Sequence, residues 1–223
     1  IVYPLGAGEP SAIHKALANY ENLDGNRLYT MLTMHPVIDL PKEKLRQMSF
    51  FLSGADRKPF NAGKTELIPC HFSEIPNIVH AREPEPVLIA TVSPMDEDGY
   101  FSLGVGVSYF GSQIEHAKKI IIEVNETMPY TYGIKNHIHI SQVDALVENN
   151  NPIPSAPEPE LNEKDKKIGS IIADMINDGD TIQVGIGAMP NAVMNNLKDK
   201  KDLGLHSEMF TSKAQLLHEE GAL

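Results

Sequence analysis

The chain has 223 residues, 41% of them apolar and 22% charged, and a formal net charge of −11. That length suits one large or two small domains with a substantial core, the composition excludes disorder throughout, and the acidic balance gives no support to a nucleic-acid surface or an anionic membrane as partner. Cys70 is the single cysteine, so no internal disulfide forms and a reducing cytoplasm is expected; no apolar run reaches transmembrane length.

Taken in order, residues 1–5 read as a strand, residues 6–10 (Gly-Ala-Gly-Glu-Pro) as a glycine loop, and residues 11–20 as a helix with Ile13, Ala16 and Leu17 on one face. No signal peptide is visible, and a start at Ile1 rather than Met is compatible with a fragment. Residues 28–34 predict a second strand, while residues 42–86 are short apolar pieces broken by proline and read as short strands, turns and a helix or two. Residues 87–92 form a continuous apolar run of the kind a sheet buried on both faces requires. Asp98-Gly99 then signals a turn, residues 109–118 a helix and residues 120–124 a second buried strand, which together predict a parallel pair with a right-handed crossover. Residues 137–140 alternate as a short strand, and Ser141 with Asp144 looks like a capping box for a following helix.

Four prolines fall within residues 149–160, which read as an exposed linker between residues 1–148 and residues 161–223. Beyond it Ile168, Ile171, Ile172, Met175 and Ile176 follow helical spacing, the clearest amphipathic pattern in the chain. A strand is expected at residues 181–184, then a loop of Gly185, Ile186, Gly187 and Ala188, a helix with Pro190 in its first turn, and a short strand from Leu203 that ends at Glu208. Residues 219–223 resemble a helix and its glycine cap. Alternating strands and helices predict an α/β fold: an open, mainly parallel sheet with helices on both faces.

Several residues invite a chemical reading. Gly185 and Gly187 imitate part of a dinucleotide fingerprint, but Pro190 stands where the third glycine belongs, so NAD binding is set aside. A tight turn that needs glycine only for its backbone angles is the plain alternative, and a solvated surface charge is the plain alternative for Glu208. The position of Glu208 at the carboxyl end of a strand favours a ligand site. His137 and His139 share a face without a third ligand at diagnostic spacing, Cys70 reads as a structural thiol, and Asp96, Glu97 and Asp98 as turn residues; no metal site is expected.

The runs 185–193 and 203–209 resemble the signature of the acetyl-CoA hydrolase/transferase family, most closely its 4-hydroxybutyrate CoA-transferase branch. Residues 73–76, 93–104, 123–125 and 139–144 match as well, so the resemblance spans nearly the whole chain. It implies the N-terminal one of two related α/β domains, with the C-terminal domain absent. It further implies an enzyme that moves coenzyme A between an acyl-CoA, such as acetyl-CoA, and a small carboxylic acid, such as 4-hydroxybutyrate, with the CoA thioester as substrate and no permanently bound cofactor. Glu208 takes the place of the nucleophile that becomes a glutamyl-CoA thioester, Gly185, Ile186, Gly187 and Ala188 close over the acyl group, and Gly6 and Gly8 lie beside the site. A homodimer or larger assembly is implied too. Acyl-CoA hydrolysis is the near alternative, and a non-catalytic fragment or binding/assembly domain the alternative of another class. Residues 210–214 (Phe-Thr-Ser-Lys-Ala) depart from the family's glycine-containing pattern.

Overall fold

The computed structural model describes residues 1–223 and divides into two compact units, Ile1–Ser155 and Ala156–Leu223. The division falls inside the proline-rich stretch. Its first residues are held by the first unit: the Asn125 side-chain amide donates to the carbonyls of Asn149 and Asn151 at 2.7 and 2.8 Å.

In the first unit, β1 (Asn26–Thr30), β2 (Leu45–Ser49) and β3 (Thr65–Leu67) form one parallel group, and β4 (Val87–Val92), β6 (Lys119–Val124) and β8 (Ala145–Glu148) another. The opening residues 1–3 join the two. Val2 pairs in parallel with both Tyr29 and Leu88, Val2 N–H donating to the Val87 carbonyl and Tyr3 N–H to that of Tyr29. The strand order is therefore β3-β2-β1, residues 1–3, β4-β6-β8. The chain begins at the centre of its sheet, works outward on one side, then returns to build the other. This reversal places a topological switch point between residues 1–3 and β4, at whose carboxyl ends lie the loop 6–10 and the loop after Val92.

Alternation along these strands fills both faces. Val2, Tyr29, Leu88, Ala90, Ile120 and Ile122 belong to one buried cluster together with Ile75 and Val79 of α3 (Ile75–Arg82). Tyr3, Leu28 and Ile89 belong to another, against which Ile13 and Leu17 of α1 (Ser11–Leu17) pack. Helices thus cover opposite faces of a parallel sheet, which is the expected fold class. The region 42–86 resolves into β2, α2 (Gly54–Asn61), β3 and α3. The Ser53 side chain caps α2 in a reciprocal box with Asp56.

Two local expectations change and one holds. Residues 109–118 do not form an α-helix; a 3-10 helix occupies Gly111–His116, its start pinned because the Gly111 Cα packs directly on the Lys135 carbonyl and the Tyr109 hydroxyl donates to the Tyr3 carbonyl at 2.7 Å. Ser141 and Asp144 do not cap a helix. Asp144 instead accepts from Ile120 N–H (2.9 Å) and Lys119 Nζ (2.6 Å), and residues 145–148 pair with β6 as β8, so sheet pairing wins over the local cap signal. The Asp96–Gly99 loop is a tight turn, with the Asp96 carboxylate accepting the N–H of Asp98 and Tyr100, and it leads into β5 (Tyr100–Ser102), antiparallel to β7 (His137–His139).

The second unit contains α4 (Glu163–Ala173), β9 (Thr181–Ile182), α5 (Ala188–Asn195), β10 (Gly204–Leu205) and α6 (Ser212–Glu219). Asn162 caps α4 reciprocally with Asp165. The expected apolar stripe is split: Ile172 and Ile176 pack on the core, whereas Ile168, Ile171 and Met175 are exposed, Met175 at 75%. The reason is steric. Gly169 brings α4 against α5 so closely that a methyl there would lie 2.6 Å from the Ala192 carbonyl carbon, so small residues rather than isoleucines form that contact. No helix of the chain is long and apolar enough to cross a membrane.

Candidate active site

The two glycine loops lie in different units and differ in what their amides do. In the loop 6–10, Gly6 takes φ +45° and its N–H donates to the Met31 carbonyl, while Gly8 N–H donates to Leu5 and Glu9 N–H to Gly6. Gly8 backs onto Gly106, where a methyl would fall 2.7 Å from its Cα. Two amides in the first turn of α1 are also taken: Ala12 and Ile13 donate to Glu123 Oε2 at 2.8 and 3.1 Å, and Asn149 donates to Glu123 Oε1. The switch point is thus filled by the protein's own carboxylate. Gly6 and Gly8 shape a packed corner and donate their own amides within the first unit.

Beside them sits a residue that the sequence reading did not single out. Glu9 is 1% exposed, accepts the Thr33 hydroxyl (2.8 Å) and Met34 N–H (2.9 Å) through Oε2, and leaves Oε1 without a partner. Desolvation in this setting pushes its carboxyl up to about 7, against the relief its hydrogen bonds give. The glycine pattern around it hid the signal, because burial of a loop carboxylate has no sequence period.

In the second unit, β9 and β10 pair in parallel, Ile182 opposite Leu205, and the last backbone bond runs from His206 N–H to the Ile182 carbonyl at 3.0 Å. Both strands then give way to loops at their carboxyl ends. After β9 come Gly185, Ile186, Gly187 and Ala188. Gly187 has φ +123° and ψ −179°, a conformation reserved to glycine, and Ile186 is 63% exposed. In contrast with those of Gly6, Gly8 and Glu9, the N–H groups of Gly185, Ile186 and Gly187 have no acceptor in the protein. Ala188 opens α5, with Pro190 in its first turn where no N–H is needed.

After β10 the chain passes through His206 and Ser207 to Glu208, which is exposed. The Ser207 hydroxyl donates to the Val184 carbonyl at 2.8 Å and accepts from Val184 N–H and Met209 N–H at 3.4 and 3.3 Å. The structure therefore brings the Gly185 loop and the Glu208 turn together at neighbouring strand ends. Next to Gly185 an apolar groove of about 320 Å³ is lined by Ile172, Ile176, Ile182, Val184 and Pro190.

The histidine and aspartate side chains of the β5–β7 region have structural partners. His139 Nδ1 bonds the Ser141 hydroxyl at 2.7 Å and its ring sits edge-on to Tyr100, while Asp96 Oδ2 accepts the Tyr130 hydroxyl at 2.6 Å. Burial raises the Cys70 thiol above its ordinary range, away from nucleophile character.

A sequence model described as the acetyl-CoA hydrolase/transferase N-terminal domain matches residues 1–157. A 4-hydroxybutyrate coenzyme A transferase from Clostridium kluyveri is 37% identical over 229 residues, which is all of this chain and 53% of that protein. A succinyl-CoA:cyclohexane-1-carboxylate CoA transferase from Geobacter metallireducens is 33% identical, over 95% of this chain and 49% of its own length. Among solved structures, RipA from Yersinia pestis superposes with a TM-score of 0.87 at 32% identity, over the whole of this chain and 55% of that one. The chain spans about half the length of the curated relatives it matches.

Proposed function

The chain belongs to the acetyl-CoA hydrolase/transferase family, and from that premise we propose that it carries the nucleophile of a CoA-transferase. The observation that carries the reading is the pairing of an exposed Glu208 with a neighbouring loop whose Gly185, Ile186 and Gly187 amides are free to donate.

In the proposed reaction the Glu208 carboxylate attacks the thioester carbonyl of an acyl-CoA, and the C–S bond breaks to give a glutamyl–acyl anhydride and CoA thiolate. The thiolate attacks the glutamyl carbonyl, forming a glutamyl-CoA thioester and releasing the first acid as carboxylate. An incoming carboxylate reverses both steps and leaves as the new acyl-CoA. A carboxylate needs no general base for this attack. Each tetrahedral intermediate places an oxyanion near the nucleophile, where a free loop N–H supplies on the order of 3 kcal/mol. Gly185, Ile186, Gly187 and Ala188 then act as the lid over the acyl group, and excluding water keeps the thioester energy from being lost to hydrolysis.

We assign acetyl-CoA-like thioesters and small acids such as 4-hydroxybutyrate as substrates, in line with the names of the relatives, with no permanently bound cofactor and a cytoplasmic setting. The second half that the relatives possess would supply the rest of the CoA site, and a homodimer or larger assembly fits the same reading. The test uses a polypeptide of the relatives' length that carries this chain. Thiol release from acetyl-CoA is measured with and without an acceptor acid. Acceptor-dependent acyl-CoA exchange that vanishes in Glu208→Ala supports transfer; thiol release indifferent to acceptor indicates hydrolysis, and normal exchange in Glu208→Ala removes the mechanism.

A further inference from the structure

We infer that Ser207 is a positioning residue that locks the Gly185 loop and the Glu208 turn into one unit, so that the amide donors and the nucleophile keep a fixed geometry. The inference rests on the reading of Glu208 as nucleophile.

The ladder between β9 and β10 is short. Its last backbone bond is His206 N–H to the Ile182 carbonyl, and two residues further each chain leaves for its own loop. Nothing in a two-residue pairing would hold those loops in register on its own. The Ser207 hydroxyl supplies the missing rung. It has one donor and two lone pairs, and all three are used: the proton goes to the Val184 carbonyl, and the lone pairs take Val184 N–H and Met209 N–H.

The partners matter as much as their number. Val184 immediately precedes Gly185, so its peptide groups set the direction in which the loop departs. Met209 immediately follows Glu208, so Ser207 and Met209, on either side of the carboxylate, are fixed to one oxygen atom. Glu208 is left pointing outward from a turn with little freedom to drift relative to the loop amides. Alanine at this position removes the rung and leaves the Val184 carbonyl and both N–H groups without their partner.

A strand-end serine with a purely local role would change stability without changing the rate of the folded protein. The positioning role predicts a split. In the polypeptide of the relatives' length, Ser207→Ala lowers kcat for acyl exchange by about tenfold to a hundredfold, the range expected when reacting groups lose alignment, while the KM for acetyl-CoA moves by less than about threefold. In this chain, hydrogen exchange at the Val184 and Met209 amides speeds up in Ser207→Ala. Ser207→Thr, which retains the hydroxyl, recovers most of the rate and the protection. Should Ser207→Ala unfold, Ser207→Cys, similar in size and a poor acceptor, makes the same comparison. A kcat within twofold of the parent in Ser207→Ala, or a threonine variant as slow as the alanine one, would overturn the inference. Normal turnover in Glu208→Ala would overturn the nucleophile reading beneath it, and the exchange data at Val184 and Met209 tell that failure apart from loss of the rung.

Discussion

At the scale of single residues, two of the most informative positions are a glutamate with no cation and a glycine with no substitute. Glu9 is buried with one carboxylate oxygen unpartnered, and its folded pKa of about 7 lies above the ordinary 4.5. The folded state therefore binds a proton that the unfolded chain has already released between those values. Stability contributed by the protonated form is complete below about 4.5, declines as pH rises, and is gone above about 7, a loss on the order of 3 kcal/mol. Glu9→Gln keeps an acceptor for Thr33 and Met34 without the charge. Burial lowers the His14 and His35 imidazoles and the Ile1 amine, which adds stability to both proteins as pH rises, so the Glu9 effect is read as a difference. In urea denaturation at pH 5 and pH 8 the glutamine variant should gain on the parent at the higher pH, and an equal slope in both would remove Glu9 as the cause. Gly187 makes a different kind of prediction. Its φ of +123° costs any other residue about 1–3 kcal/mol, although no atom lies within 4 Å of an added Cβ. Gly185 lacks that constraint, and its added methyl would meet only Pro190 Cγ at 4.0 Å. Gly187→Ala is expected to slow acyl exchange at least about tenfold by redirecting the loop amides, with Gly185→Ala within a few-fold of the parent. Equal rates for the two would mean the loop's backbone shape is not what matters.

At the scale of elements, the sequence was legible where burial is two-sided and opaque where contacts are non-local. The apolar runs at β4 and β6 announce buried parallel strands because both faces need apolar side chains. Helix α4 announces itself by period, yet its packing is decided by Gly169 against Ala192, a steric fit that no periodicity records. Ser141 and Asp144 show the opposite failure: a local cap signal is overridden because β6 offers residues 145–148 a strand partner. The site divides in the same way. Loop chemistry at Gly187 is readable from glycine, and Glu208 from its place in a run that resembles a family. The hydroxyl rung of Ser207 and the orphaned oxygen of Glu9 arise only when distant segments meet. Gly169 supplies the test at this scale. On an isolated helix, Gly→Ala stabilises by up to about 1 kcal/mol, but here the methyl would press on the Ala192 backbone, so Gly169→Ala is expected to destabilise by about 1–3 kcal/mol in urea unfolding. A stabilised variant would show that α4 and α5 can separate freely.

At the scale of the whole molecule, the first unit builds an α/β sheet from its centre outward and fills its own switch-point corner with Glu123, while the second unit presents the free amides and Glu208. The chemistry proposed for this chain is therefore concentrated in Ala156–Leu223, and the relatives are about twice as long as the chain that carries it. The most direct measurement follows from that concentration. A polypeptide of the relatives' length is incubated with acetyl-CoA without acceptor, digested, and its peptides are weighed before and after hydroxylamine, which converts a thioester to a hydroxamate. The account predicts CoA attached to the peptide containing Glu208, lost to hydroxylamine with a hydroxamate left at Glu208, and no such adduct in Glu208→Ala. CoA attached at another residue, or undiminished exchange without any adduct on Glu208, would contradict it.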